Sequence, residues 1–267
     1  MVECDWGESG KMTRKNWSRE ETILAFELYC RTPFGKIHSH NPVIIELSKL
    51  LERTPDAVAM KMCNLARYDP EQRKRGINGL ANGSKLESLI WKEFQNDWEA
   101  LAFESKAILS RIENKDIVVV ANIDLDNLPP GKVKISVVKQ RIGQNFFRSA
   151  VLNAYESRCC ITGITIDTLL VASHIKPWKH SDVKTERTNP TNGLCLNALH
   201  DKAFDQGLIS INKNFEIMVS NKLKHDHLDL ITKNWIVSFE GQKIETPHKF
   251  LPDAQFIEYH NDVVFRG

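Results

Sequence analysis

The 267 residues are enough for one large domain or two small ones, and 42% hydrophobic with 26% charged is an ordinary globular composition. A formal net charge of +2 excludes a polycation that holds nucleic acid by bulk charge, so any such reading has to rest on local patches. No apolar run approaches the roughly 18 residues of a membrane span, and MVECDWGESGKMTRKNW lacks the apolar centre of a signal peptide, so a soluble, cytoplasmic chain is expected.

Residues 1–13 read as a disordered lead-in. In NWSREETILAFELYC, Ser18 followed by Glu21 has the form of a capping box, and Ile23, Phe26 and Cys30 recur at helical spacing. Asn41-Pro42 and Thr54-Pro55 each place a capping side chain before a proline at a first helical position, which predicts two short helices meeting at a tight turn over 52–54. Ser84 and Glu87 suggest another capping box, ahead of a stripe of Leu86, Ile90, Phe94, Trp98 and Leu101. Residues 14–104 are therefore expected to be an all-helical domain.

After Ser105 the β-branched run IVVV, an aspartate-rich turn and Pro-Pro-Gly predict a linker with strands over 105–140. The window from Lys132 to Arg148 is the most basic in the chain, with Lys132, Lys134, Lys139, Arg141 and Arg148 and no acidic residue. FFRSAVLNAYESR reads as a helix, CCITG and TLLVASHI as strands, and GLISINKNFEIMVS as a hairpin. None of the six cysteines forms a CxxC pair, which argues against a Cys4 zinc site and a disulfide-stapled fold.

The stretch VASHIKPWKHSDVKTERTNPTNGLCLNALHDKAFDQG reads as strand, loop, strand, helix, the helix stopping at Gly207. That order is expected to bring His174 opposite His200, with Asn192 where the loop re-enters the second strand. Phosphodiester hydrolysis needs a base for water, a cation for the developing charge and a rigid frame. A neutral imidazole suits the first task, a second imidazole can ligate the cation, and a side-chain amide can pin a loop.

These residues resemble the HNH endonuclease family with its ββα-metal fold. The motifs are His174-Ile175-x-Pro177, Asn192-Gly193-Leu194 and His200-x-x-x-Phe204-Asp205-x-Gly207, and RIGQNFFRSAVLNAYESRCCITG is similar to the lead-in of a restriction-type branch. The resemblance covers roughly 141–220. It implies His174 as general base, Asn192 as the loop-fixing residue and His200 as metal ligand. Many members carry Asp before the base, where this chain has Ser173. Asp205 could substitute, although five residues along a helix place it about 140° from His200, and Asp201 points about 100° away. A sparsely liganded ion completed by water suits Mg²⁺, with Mn²⁺ as the substitute.

The expected architecture is α+β: an N-terminal helix-turn-helix or Myb-like domain, then a ββα-metal HNH nuclease domain over 141–267. Double-stranded DNA is the expected partner. Lys61, Asn64 and Arg67 would read it from an outward helix face while Val58, Met62 and Leu65 point inward; a plain bundle with a polar surface is the alternative. Lys139, Arg141, Arg148 and Lys176 are candidate phosphate contacts. The resemblance implies restriction or anti-phage defence, with defence-system partner proteins in reach, and a homodimer would let two single-strand cutters cleave a duplex. A DNA-binding regulator that keeps the frame without cleaving, and an RNA nuclease, are the competing readings.

Overall fold

The computed structural model describes residues 15–76, 84–124, 132–224 and 227–267. The expected lead-in and the Pro-Pro-Gly breaker lie outside the described residues. Helix α1 (Arg19–Arg31) opens with the capping box: Glu21 N–H donates to Ser18 Oγ at 3.1 Å and Ser18 N–H donates to the Glu21 carboxylate at 2.8 Å. Helices α2 (Pro42–Leu50) and α3 (Pro55–Ala66) start at the Asn41 and Thr54 caps, and the turn between them puts Glu52 at φ 52°. A short α4 (Pro70–Lys74) follows.

The expected stripe from Leu86 to Leu101 belongs to two helices. Helix α5 (Lys85–Phe94) ends, and Asp97 accepts from Ala100 N–H to cap α6 (Trp98–Glu113). The carboxylate of Glu87 closes no capping box; it turns to Lys61 and Arg67 instead.

Among the described residues of 105–140, helices stand where strands were expected. Helix α6 continues to Glu113, IVVV forms the short α7 (Ile117–Val120), and KISVVK opens the long α8 (Lys132–Ala154). Val138, Ile142, Phe146, Ala150 and Ala154 recur every four residues and, with Val151 beside them, are all buried, with α8 lying against α6 and α1. Burying that stripe outweighs the β preference of its valines and isoleucines.

Beyond α8, CCITG is a tight turn rather than a strand. Gly163 N–H returns to Cys159 O at 2.9 Å with Gly163 at φ 74°, and Cys160 N–H donates to Cys195 O. Strands β1 (Leu170–His174) and β2 (Gly193–Asn197) pair antiparallel, with Leu170 opposite Asn197 and His174 opposite Gly193. Helix α9 (Ala198–Asp205) follows directly, capped by Asn197. Strands β3 (Ile209–Ile211) and β4 (Ile217–Val219) form the expected hairpin, and α10 (Leu230–Trp235) and α11 (Ala254–Tyr259) complete the fold. This is an α+β arrangement of helices followed by a ββα unit.

The buried hydrophobic residues form one cluster from Ile23 to Ile257. Trp98 of α6 stacks on Phe146 of α8 and meets Phe250 edge-on, with centroids 6.2 and 5.5 Å apart. Lys249 is fully buried and donates to Tyr29 O and Thr32 O at 2.5 and 2.7 Å, satisfying carbonyls at the end of α1. Within the described residues, no helix is long and apolar enough to cross a membrane.

Candidate active site

His174 ends β1 with its ring between two aromatic residues. It lies flat on Phe147, centroids 4.0 Å apart and planes 11° apart, and meets Trp178 edge-on at 5.5 Å. Its Nε2 is 2.9 Å from Arg187 O. A carbonyl only accepts, so Nε2 carries the proton of the neutral ring and Nδ1 keeps the lone pair. Burial lowers the imidazole pKa below its ordinary 6.5, partly opposed by the Arg187 bond and the charge of Asp201. The neutral, proton-accepting form is therefore favoured.

Gly193, opposite His174, shows why the hairpin can sit so low on α8. A Cβ there would come within 2.4 Å of Val151 Cγ2 and 3.0 Å of the Phe147 ring. Asn192, one residue earlier, is fully buried. Its Oδ1 accepts from Lys176 N–H at 2.8 Å, and its Nδ2 lies within 3.2–3.3 Å of Lys176 O, Ser181 Oγ and Glu186 O. One amide thus ties both ends of the loop between β1 and β2, leaving little freedom in the backbone that carries Arg187 O.

A cleft of about 780 Å³ opens beside His174, and Ser173, Asp201 and Asp205 line it. Asp201 and Asp205 are four residues apart and so share a face of α9. Partial burial first, then the charge of Asp201, raise the Asp205 carboxyl, with Lys202 opposing. Ser173 is 2% exposed and its Oγ makes no hydrogen bond. Asp201 and Asp205 thus place two carboxylates on the wall of the cleft, oxygen chemistry of the kind a hard divalent cation takes.

His200 lies elsewhere. It is on the inward face of α9 with Ala203 and Phe204 and is 1% exposed. Its Nδ1 is 3.1 Å from Asn197 Oδ1, and its ring meets Phe239 edge-on at 5.5 Å. Nε2 makes no hydrogen bond of good geometry, although the Trp235 backbone lies alongside; burial lowers the imidazole pKa and that backbone partly opposes. The expected pairing of His200 with His174 across one site is corrected: the roughly 100° step per helical residue turns His200 inward and Asp201 into the cleft. Asp201 points away from His200 as expected, and the Asp201-x-x-x-Asp205 spacing is the sequence signal that the two carboxylates share the cleft side of α9.

The expected nucleic-acid contacts are also largely engaged within the protein. Lys61 and Asn64 are 3% and 7% exposed, and Lys61 makes a buried 2.5 Å ion pair with Glu87. The outward reading face is corrected: α1 and α2 flank α3 and α5 closes over the side expected to face DNA. Arg67 lies 3.5 Å from the same carboxylate and its guanidinium rests on Tyr68. Lys176 pairs with Glu186 at 2.6 Å and Lys139 with Glu99 at 3.2 Å. Arg141 donates to Asp124 O, and Arg148, still exposed, donates to Leu170 O at the start of β1.

Residues 159–212 match the family model of the HNH endonuclease. The chain carries an HNH endonuclease domain. Comparison with curated proteins gives no match. The matched segment spans the Cys159 turn, the β1–β2 hairpin, α9 and β3, so the HNH domain contains His174, Asp201, Asp205 and the Asn192 clamp. Among the described residues, no group of three or more His, Cys, Asp or Glu side chains is placed to hold a metal ion.

Proposed function

We propose that the protein is a DNA endonuclease that hydrolyses phosphodiester bonds with His174 as general base and a divalent cation, Mg²⁺ or Mn²⁺, held by Asp201, Asp205 and Ser173. The observation that carries the reading is the orientation of His174, whose protonated Nε2 is held on Arg187 O and whose basic Nδ1 is left for water. Nδ1 takes a proton from water as the oxygen attacks phosphorus, the bond to the 3′ oxygen breaks, and that oxygen acquires a proton from solvent. The products are a 5′-phosphate and a 3′-hydroxyl. Asn192 holds the loop so that Arg187 O stays in place, and Phe147 fixes the plane of the ring. A divalent cation bound by the two carboxylates would supply Lewis acidity for the charge that builds on the phosphate and the leaving oxygen.

The resemblance to HNH endonucleases supports DNA as the substrate. The similarity of residues 141–163 to a restriction-type lead-in supports a role in restriction or anti-phage defence. A single site cuts one strand, so double-strand cleavage calls for a second copy or a second event.

The test is cleavage of supercoiled plasmid, modified and unmodified, against a structured RNA, each in Mg²⁺, Mn²⁺ or EDTA. Metal-dependent nicking or linearisation of DNA supports the reading. Cleavage confined to RNA replaces the substrate. Binding to every duplex without cleavage favours a silent DNA-binding module.

A further inference from the structure

Residues 260–266 form a strap whose end, Val263 to Arg266, makes part of the cleft wall, and it is anchored at several points. His260 is buried, stacks on Phe204 of α9 at 3.7 Å, and has Nε2 3.2 Å from Phe204 O and Nδ1 2.8 Å from Ser210 Oγ. The backbone over His260–Val264 winds as a single π-turn, a form often found at functional sites. Gly207, at φ 66°, lies so close to the strap that a Cβ would fall 2.0 Å from Val264 O. Arg266 N–H donates to Gly207 O at 3.0 Å, and the Ser220 hydroxyl donates to Arg266 O.

These contacts hold the backbone of Arg266 on both sides and keep the residue on the wall of the cleft that contains His174, Asp201 and Asp205. Arg266 is exposed and is in no ion pair with a described residue. The electrostatics of the cleft ask for such a group. An incoming phosphodiester is an anion meeting two carboxylates, and Lys176, beside the base, is paired with Glu186. Lys179 on another part of the wall offers a flexible point charge, whereas a guanidinium presents a planar fork that matches two phosphate oxygens.

We infer that Arg266 grips the non-bridging oxygens of the phosphate lying in this cleft, and that the 260–266 strap, latched to Gly207, holds it there. The inference rests on the nuclease reading for the identity of the bound strand and adds a substrate contact outside the matched 159–212 segment.

The test compares wild type, Arg266→Ala, Arg266→Lys, Gly207→Ala and His174→Ala on one short duplex. Binding is followed by anisotropy in EDTA across a salt series, and cleavage in Mg²⁺ or Mn²⁺. Arg266→Ala is expected to lower the steepness of log K against log salt by about 1, the signature of one lost phosphate contact. Its cleavage rate should fall about 10- to 100-fold. Arg266→Lys should recover the salt dependence and only part of the rate. Gly207→Ala, which pushes the strap outward with the charge unchanged, should reproduce the Arg266→Ala salt dependence.

Arg266→Ala with wild-type salt dependence and rate overturns the inference, and does so alone when His174→Ala has lost cleavage. No cleavage even by wild type overturns the nuclease reading, while the salt series in EDTA still decides the contact. No binding by wild type overturns both.

Discussion

His174 and Phe147 are stacked at 4.0 Å, so the candidate base of the hairpin is seated on the long helix that joins it to the N-terminal helices. The basic nitrogen is aimed by two unrelated constraints: a ring plane set by α8 and an Nε2 bond set by the loop before β2. The first constraint lies outside the hairpin and the second in its connecting loop.

Phe147→Leu keeps apolar bulk and removes the stacking surface. The turnover rate should fall about 10- to 100-fold with little change in KM, because a ring free to tilt misplaces the base without altering strand binding. Steady-state kinetics beside a thermal melt check this. An equal fall in kcat/KM that comes entirely from KM would show that the stack serves binding instead.

Gly193→Ala tests the approach of the hairpin to α8. Its methyl would overlap Val151 Cγ2 at 2.4 Å, and both partners lie in the core. We expect a loss of about 1–3 kcal/mol in denaturant unfolding, from the strain of overpacking. An unchanged midpoint would mean that the strand can rise off α8 at no cost.

Stability in acid should depend on Glu21. Burial alone would raise its carboxyl, but Arg53, the Ser18 amide and Lys15 outweigh that and bring it down to about 2 from the ordinary 4.5. A folded-state pKa below the unfolded one stabilises above pH 4.5, and the contribution is lost as pH falls through 4.5 towards 2. Glu21→Gln should therefore be less stable at neutral pH and show a shallower decline over that window. Parallel urea titrations at several pH values measure it, and identical slopes for the two proteins would refute the assignment.

Mn²⁺ binding, measured by calorimetry in a His174→Ala background that cannot turn over, separates the two candidate ligand sets. Asp201→Asn and Asp205→Asn should each weaken binding by about tenfold or more, as expected when a charged oxygen ligand is lost. His200→Asn should leave affinity near that of the parent while lowering the melting temperature, because His200 is a buried residue packed on Phe239. The reverse pattern would return the cation to His200.

Much of the local structure was legible because its signals are local. Ser18, Asn41 and Thr54 announce helix starts through side chains that bond backbone groups two or three residues on, and all three do so in the structure. The His174, Asn192 and Gly207 order marks a hairpin followed by a short helix in the same way. What the sequence concealed depends on neighbours far along the chain. Val138 and Ile142 have strand-like preferences, yet α6 and α1 give their helical stripe a surface to bury against. Lys61 looks like an outward cation until α5 brings Glu87, 26 residues on, over it. His200 looked like a ligand from its motif, and only the packing of Phe239 shows which way its helix face turns.

The central claim is most directly tested by the single-turnover rate of His174→Ala on supercoiled plasmid in Mg²⁺ or Mn²⁺, with its fold checked by circular dichroism. The account predicts a rate about 10²- to 10⁴-fold below wild type, the contribution of one positioned base, with duplex binding retained. A folded variant that nicks at the wild-type rate would remove His174 from the chemistry and the proposed mechanism with it.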